Sequence, residues 1–326
     1  MLEDLVIQFF SAKPRREIAV YLLLVGKKTL SNLYAALEHA QLQWLQLYPT
    51  LAREDFQAAV ERLVRAGALT RTETGLILNQ PEAKQRAAAR LPLPAHYAAQ
   101  LDVQGFEQRL LLGVQVVSEA RYHARAYRPV SSDWATQQAI RRWSRAVALP
   151  TVISELTAAF AALPDATANR LAARFVGHDY VGDAPTDGLR DQLGDVDALS
   201  QLILVIAAHP EWLTLHQLWG GPKSLLSASN RQACALATAG ASRETIATQL
   251  RLRPSTVNEH LLGATILGWQ PPITALIPVA VMGALTALPR PLDPDYHHLL
   301  AAVPEADFFA VRLAQILDLQ GRWPNE

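Results

Sequence analysis

Side chains that could contact nucleic acid cluster between residues 251 and 259, which read RLRPSTVNE. Arginine binds phosphate through a forked, charged guanidinium, and serine and threonine hydroxyls bond phosphates or base edges. Asparagine can pair with adenine through two hydrogen bonds, and glutamate can accept one from the cytosine amino group. With one arginine from the preceding segment, the predicted DNA-binding residues are Arg243, Arg251, Arg253, Ser255, Thr256, Asn258 and Glu259.

Three short helices are expected to position these residues. In the segment 229–268, Ser229 and Ser242 are of the type that caps helix N-termini, and Gly240 can end the first helix. Pro254 suits the first turn of the third helix, where its missing N–H costs nothing. The spacing therefore predicts three helices joined by two tight turns.

The apolar residues of the same segment predict how these helices pack. Ile246 would be buried on the second helix, and Val257 and Leu261, four residues apart, on the third. Leu262 is expected to face outward. This pattern is typical of a helix-turn-helix, whose third helix enters the major groove of DNA. Similar three-helix units also dock proteins, so a protein contact is the alternative.

The first 80 residues carry the pattern of a winged helix. A helix is expected over 53–66, with Gly67 just beyond its end. Two short β-compatible runs follow within residues 68–79, and Gly75 can supply the positive φ that the turn between them needs. Helices followed by a two-stranded ribbon predict a winged-helix-like domain over 1–80.

Helical spacing continues through the rest of the chain. Residues 96–176 read as helices broken by prolines, residues 177–195 as a Gly- and Asp-rich loop, and a buried helix follows. The chain is therefore expected to be mainly α. Its three predicted parts are a winged-helix-like domain (1–80), a helical middle region (81–224) and a C-terminal helix-turn-helix domain with a helical tail (225–326).

The charge of the chain is balanced overall but not locally. Thirty basic and 30 acidic residues give a formal net charge of zero, so any affinity for DNA must come from local patches. Residues 183–220 hold six acidic residues against Arg190 alone. Arginines collect instead around residues 121–128 and 141–145.

Further basic residues are predicted as secondary nucleic-acid contacts. An arginine next to an aromatic ring can hold a single strand by phosphate contact and stacking. For the cluster around Trp143, the favoured interpretation is an amphipathic helix with the tryptophan inward and the arginines in solvent. The predicted secondary contacts are Lys27, Lys28, Arg71, Arg141, Arg142 and Arg145.

Residues that could support catalysis or metal binding are few. The single cysteine, Cys234, leaves no partner for a disulfide within the chain, and its apolar neighbours predict burial. A small cluster of possible metal ligands is favoured instead as a solvated turn that caps the next helix; its residues are Asp293, Asp295, His297 and His298. Residues 220–224 read GGPKS and lack phosphate-loop spacing, so a helix break is expected. We therefore expect a non-enzymatic protein with no metal and no cofactor.

The sequence predicts no membrane segment. The first residues lack the basic region of a signal peptide. The longest apolar runs are shorter than the ~20 residues that span a bilayer. The expected location is the cytoplasm.

Four stretches of the chain, within roughly residues 15–80 and 225–320, resemble YpbB-like helix-turn-helix proteins of low-GC Gram-positive bacteria. They read YLLLVGKKTLSNLYAALEHAQL and LYPTLAREDFQAAVERLVRAGAL in the N-terminal part, and LRPSTVNEHLLGATILGW and EADFFAVRLAQILDLQG near the C-terminus. The residues that match the family's motifs are Gly26, Lys27, Lys28, Thr256, Val257, His260 and Leu261. Asn258 stands where an acidic residue is expected, which favours DNA contact in this chain.

The resemblance implies an accessory role in DNA metabolism. YpbB-like proteins are commonly encoded beside a RecQ-type helicase, so such a helicase is the expected partner, with DNA, in repair or recombination. No catalytic residues are carried over from the family. The alternatives are a scaffold that docks a helicase without binding DNA, using the acidic 183–220 segment, and a transcriptional regulator.

Overall fold

The computed structural model of the chain describes residues 1–184 and 188–324, and Asp187 of the acidic segment lies outside them. The described residues form 18 α-helices, three short 3-10 helices and one two-stranded antiparallel sheet, so the expected mainly α class is confirmed. Among the described helices, none has both the length and the apolarity that crossing a membrane requires.

Helices occupy most of the chain, and the two strands lie side by side in its first quarter. In chain order the elements are α1 (Leu2–Val6), α2 (Glu17–Leu24), α3 (Leu30–Glu38), α4 (Arg53–Arg65), β1 (Leu69–Thr72), β2 (Gly75–Leu78), α5 (Pro81–Arg90), α6 (Val103–Arg121), α7 (Trp134–Ala146), α8 (Leu149–Ala161), α9 (Asp165–Ala172), α10 (Leu189–Ala208), α11 (Leu213–Trp219), α12 (Ala228–Thr238), α13 (Arg243–Leu250), α14 (Pro254–Ile266), α15 (Ile273–Leu276), α16 (Val279–Thr286), α17 (Tyr296–Ala302) and α18 (Phe308–Leu319). The 3-10 helices lie at Ile7–Phe9, Leu42–Trp44 and Ala99–Leu101.

Contacts divide the chain into two compact units. Unit 1 is Met1–Arg15 with Ala52–Lys223, and unit 2 is Arg16–Leu51 with Ser224–Glu326. Residues 1–80, predicted as one domain, are therefore shared between the units. The reason is that α3 packs against α14 and α18 within unit 2. Contacts between residues so far apart leave no periodic signal in the local sequence.

The helix and hairpin predicted for residues 53–79 are confirmed in unit 1. Gly67 follows α4 with a φ of +69°, and Gly75 opens β2 with a φ of +150°. The strands pair with Leu69 opposite Leu78. Glycine adopts positive φ without a steric penalty, which lets the helix end and the turn close at these two positions.

Helices α6 to α11 enclose a hydrophobic core within unit 1. Trp143 of α7 is 6% exposed, and its indole N–H donates to the Thr214 carbonyl at 2.9 Å. The buried Glu155 carboxylate accepts hydrogen bonds from the Thr214 and Leu215 backbone N–H groups, each at 3.0 Å. These bonds satisfy first-turn N–H groups of α11 that would otherwise be buried without partners.

The loop predicted over 177–195 is shorter than expected, because α10 already begins at Leu189. Asp191 and Asp195 lie on α10, and their carboxylates are 3.9 and 3.0 Å from the Arg170 guanidinium. Composition alone indicated a loop. In the structure, ion pairs with Arg170 of α9 stabilise the two aspartates on a helix.

Helix α14 is the centre of unit 2, where it packs against α3, α12, α13 and α18. Val257 and Leu261 are fully buried, as predicted. The prediction for Leu262 was wrong: it is fully buried too, because neighbouring helices surround this part of α14. Every residue from Leu261 to Ile266 is buried, and the exposed side chains of α14 lie in its N-terminal half.

Replacing Ser242 by alanine should lower the free energy of unfolding by about 1 kcal/mol. The Ser242 hydroxyl accepts a hydrogen bond from the Thr245 N–H at 3.2 Å and so caps α13. Ser255→Ala is the matched control, because Ser255 is exposed and its hydroxyl has no partner among the described residues. Urea denaturation measures both variants. Equal stability of the two would show that the cap contributes nothing.

Candidate nucleic-acid interface

The first two helices of the segment 228–266 are capped by serine side chains. The Ser227 hydroxyl accepts a hydrogen bond from the Asn230 N–H at 3.1 Å and caps α12. Ser242 caps α13, as predicted. Ser229 was the wrong choice for the first cap, because its hydroxyl lies 3.0 Å from His260 Nε2 and serves to join α12 to α14.

The N-terminus of α14 lacks the side-chain cap that α12 and α13 have. Its N-cap residue is Arg253, Pro254 occupies the first turn as predicted, and none of the described side chains caps this end. Among the described residues, the backbone N–H groups of Ser255 and Thr256 have no acceptor. Because first-turn N–H groups carry the positive end of the helix dipole, this open end of α14 can accept an anion.

Two arginines flank the open end of α14. Arg251 adopts a φ of +54° in the turn between α13 and α14, and Arg253 directly precedes the helix. Both side chains are exposed. In the part of the chain that the structure describes, neither guanidinium has a hydrogen-bond or ion-pair partner. Positive charge, free donors and helix dipole therefore coincide at one place.

Arg243, also predicted to contact DNA, is engaged within unit 2. Its guanidinium is 2.7 Å from an Asp307 carboxylate oxygen and 4.4 Å from the centroid of the Phe309 ring. It also donates to Asn258 Oδ1 at 3.2 Å. These contacts join α13 to α14 and α18. Arg243 thus holds the helices together and has little capacity left for a phosphate.

The remaining residues of the predicted set lie along the N-terminal half of α14. Thr256 and Asn258 are half-buried, and Glu259 is exposed. Because Arg243 occupies Asn258 Oδ1, the Asn258 amide offers chiefly its N–H donors, whereas adenine recognition needs both a donor and an acceptor. The negative charge of Glu259 repels phosphate, although its carboxylate can accept a hydrogen bond from the cytosine amino group.

Two of the predicted secondary contacts are engaged by the protein itself. In unit 2, the Lys28 ammonium donates to the Leu225 carbonyl at 3.0 Å, while the neighbouring Lys27 is exposed. In unit 1, Arg71 of β1 forms an ion pair with Glu61 of α4. A phosphate contact by Arg71 would have to break that pair.

The cluster around Trp143 has the amphipathic arrangement favoured from the sequence. Trp143 faces the core, and Arg141, Arg142 and Arg145 are exposed on α7. Sequence reasoning missed Trp134, which is 67% exposed and has the Arg141 guanidinium 5.9 Å from its ring centroid. The available signal was a large aromatic residue at helical spacing from the arginines.

The Cys234 thiol and the Asp293–His298 cluster, which could have supported catalysis or metal binding, have surroundings that fit a structural role. Burial raises the pKa of Cys234 to about 11, so its thiol stays protonated, and the residue is buried as predicted. His298 lies 2.9 Å from Asp293, and the Asp295 side chain caps α17. Among the described residues, no three potential metal ligands lie together.

The acidic segment 183–220 is partly neutralised within unit 1. Arg174 donates to Asp195 at 3.0 Å. Asp197 accepts a hydrogen bond from the His96 backbone N–H at 2.9 Å. These carboxylates hold helices and turns of unit 1 together, which leaves less acidic surface for a protein partner.

The chain matches no protein-family model, no curated protein and no solved structure. The resemblance to YpbB-like proteins stays an expectation from the sequence. Function has to be inferred from the side chains themselves and from what surrounds them.

The stability of the protein should depend on pH through His260. Burial lowers the pKa of His260 below its ordinary value of 6.5, and the Glu259 charge opposes the shift. The folded chain then binds fewer protons here than the unfolded chain, so the free energy of unfolding falls as the pH drops from 6.5 through the folded-state pKa. His260→Gln should flatten this dependence in urea denaturation between about pH 7.5 and pH 5.5.

His298 provides a control of opposite sign. Its hydrogen bond to Asp293 and the charges of nearby carboxylates raise the pKa of His298. Its contribution to stability is therefore present at low pH and is lost as the pH rises through the raised pKa. His298→Gln should steepen the loss of stability on acidification. Equal pH slopes for the two variants would contradict both assignments.

Proposed function

We propose that unit 2 binds duplex DNA through the turn between α13 and α14 and the N-terminal half of α14. In this proposal α12, α13 and α14 form a helix-turn-helix, with α14 entering the major groove. One observation carries the proposal: the open N-terminus of α14 lies between Arg251 and Arg253, which are exposed and without partners among the described residues. A helix end of this kind is a ready site for phosphate.

Each exposed group has its own task in this proposal. Arg251 and Arg253 neutralise phosphates beside the helix end, and the first-turn N–H groups donate to a phosphate oxygen. The Ser255 hydroxyl adds a further donor. Asn258 donates from its amide to an acceptor on a base edge, and Glu259 accepts from cytosine. Arg243 supports these residues by fixing the position of α13 against α14.

The zero net charge of the chain does not oppose this proposal. Solvent ions screen exposed charges beyond about 8 Å at physiological ionic strength, so DNA responds to the local surface. Asp307, the N-cap residue of α18, lies beside Arg243, and its carboxylate is held in an ion pair with that arginine. Of the charges on α14 itself, Glu259 is the one that weakens phosphate binding.

We also propose that α4 and the β1–β2 hairpin form the winged-helix-like part of unit 1. Arg15 pairs with Leu76 of β2 through two backbone hydrogen bonds, at 3.0 and 2.8 Å, and this single-residue bridge lies where the short third strand of a winged helix would pair. Because Arg71 on the hairpin is paired with Glu61, we assign the hairpin to packing within unit 1.

Arg251→Ala combined with Arg253→Ala should weaken binding of a labelled duplex by about tenfold or more, since two charge-assisted contacts are lost. Fluorescence anisotropy over a salt series measures this affinity. The slope of log K against log salt should shrink by about 1.8, because each phosphate contact contributes about 0.9.

A second double variant controls for total charge. Arg86→Ala with Arg190→Ala removes the same charge from exposed positions of unit 1. It should bind the duplex as the unaltered protein does. An equal loss of duplex affinity in both double variants would show that the affinity depends on total charge and not on the position of the arginines. Unchanged binding after removal of Arg251 and Arg253 would overturn the α14 site.

The sequence resemblance implies a RecQ-type helicase as partner, and we propose that the chain acts beside one in DNA repair or recombination. In this proposal, DNA bound by unit 2 brings the helicase and the chain together. The scaffold alternative drew on the acidic 183–220 segment. The contacts of Asp195 and Asp197 within unit 1 weaken that alternative.

A pull-down of a RecQ-type helicase by the tagged chain separates the two functions. We expect nuclease treatment to reduce recovery of the helicase, because DNA bridges the two proteins. The Arg251→Ala, Arg253→Ala variant should show the same reduction without nuclease. Full recovery in both experiments would favour a scaffold that contacts the helicase directly.

A further inference from the structure

A cavity of about 250 Å³ lies in unit 1 between α6, α7 and the segment that joins them. Leu112, Val116 and Ile140 form its apolar part. The polar residues that line it are Arg125, Tyr127, Gln137, Arg141 and Ser144. Apolar walls with a few convergent polar groups are the usual composition of a ligand site.

A buried amide holds the segment between α6 and α7 in place. Gln115 is 3% exposed, and its Nε2 donates to the Arg128 carbonyl at 3.0 Å while its Oε1 accepts from the Val130 N–H at 2.8 Å. Gln137 Nε2 donates to the Ser131 carbonyl at 3.0 Å. These bonds fix the backbone of the segment, so the cavity is formed before a ligand binds.

The surface around the cavity is strongly basic. Residues 120–146 contain one acidic residue, Asp133, and six arginines: Arg121, Arg125, Arg128, Arg141, Arg142 and Arg145. Asp133 is used to cap α7, since its carboxylate accepts from the Thr136 N–H at 2.7 Å. In the described part of the chain, none of the six guanidiniums has a carboxylate partner. By contrast, Arg170 of α9 and Arg174 both form ion pairs with Asp195.

Aromatic groups accompany these arginines. Trp134 is 67% exposed and lies two turns before Arg141 on α7, with the guanidinium 5.9 Å from the ring centroid. Tyr127 lines the cavity, and burial raises its pKa, so the phenol stays protonated and can donate a hydrogen bond. A tryptophan this exposed adds little to the core of unit 1 and offers a free face for stacking.

We propose that this surface binds a single nucleic-acid strand, with one nucleotide in the cavity and a neighbouring base stacked on Trp134. Arg125 and Arg141 contact the phosphates, and Gln137 and Ser144 bond the nucleotide in the cavity. Charged side chains along the backbone together with aromatic stacking are how proteins hold single strands without reading their sequence.

The size and composition of the site favour this ligand over others. A volume of about 250 Å³ lies just below the roughly 300 Å³ at which sites for drug-sized ligands begin, which suits one nucleotide. An acidic peptide would use the arginines but leave Trp134 without a role. The inference extends the proposed DNA function to unit 1, and its residues are separate from those of α14.

Anisotropy with a labelled oligothymidylate of about 20 nucleotides, longer than the roughly 4–16 that one binding fold covers, tests the proposal on the full chain. Arg125→Ala with Arg141→Ala should weaken binding by about tenfold or more and lower the salt slope by about 1.4, at about 0.7 per phosphate. Trp134→Ala should weaken binding by at least about fivefold, and Trp134→Phe by less. Circular dichroism should show unchanged helix content, because all three side chains are exposed.

The two proposals can fail separately. The Arg251→Ala, Arg253→Ala variant should keep its affinity for oligothymidylate and lose affinity for duplex. The Arg125→Ala, Arg141→Ala variant should do the reverse. Absence of oligothymidylate binding at low salt would overturn the single-strand site, and duplex binding in the same protein would leave the α14 proposal standing.

Competitors distinguish a strand from other anions. Thymidine monophosphate should compete weakly, because it cannot occupy the cavity and Trp134 together. Displacement of the oligonucleotide by thymidine monophosphate at equal nucleotide concentration would reassign the cavity to free nucleotides and overturn strand binding. If polyglutamate competes as well as unlabelled oligothymidylate, the surface binds anions in general. That result would also overturn the proposal.

Discussion

Helix α14 can offer its first turns to solvent because its last turns are enclosed. Every residue from Leu261 to Ile266 is buried, and α3, α12, α13 and α18 all pack against this helix. Fully burying one leucine or isoleucine side chain contributes roughly 1.5–3 kcal/mol, whereas a serine cap contributes about 1 kcal/mol. The packing of one end therefore more than offsets the missing cap at the other. An N-terminus with free N–H groups is what anion recognition requires.

Ion pairing decides which charges of this neutral chain are available to a ligand. Arg243 forms an ion pair with Asp307 and a hydrogen bond with Asn258, and Arg71 forms an ion pair with Glu61. At the two proposed sites, the α13–α14 turn in unit 2 and the surface of α7 with the preceding segment in unit 1, the exposed arginines have no carboxylate partner among the described residues. Zero net charge and basic local surfaces are compatible, because Asp133 next to the α7 arginines caps that helix and Asp307 near the α13–α14 turn pairs with Arg243.

Short-range features were predictable because their causes lie within a few residues. Ser242 as a cap, Pro254 in a first turn, Gly67 after α4 and the hairpin closed by Gly75 all follow from local backbone preferences. The arginines of the proposed α14 site were also predicted from the sequence, and the structure leaves Arg251 and Arg253 exposed. The first cap was predicted wrongly as Ser229, because the contact of Ser229 with His260, 31 residues away, leaves Ser227 to cap α12.

The sequence by itself determined the helical class, the three helices of 228–266 and the exposed arginines at the start of the last one, since caps, turns and helical spacing act locally. Tertiary structure alone decided that residues 16–51 join the C-terminal helices, that Leu262 is buried and that Arg243 is paired. It also placed Arg125 and Arg141 around one cavity. These features depend on contacts between residues far apart in the chain, and the energy of such contacts leaves no mark on local composition or periodicity.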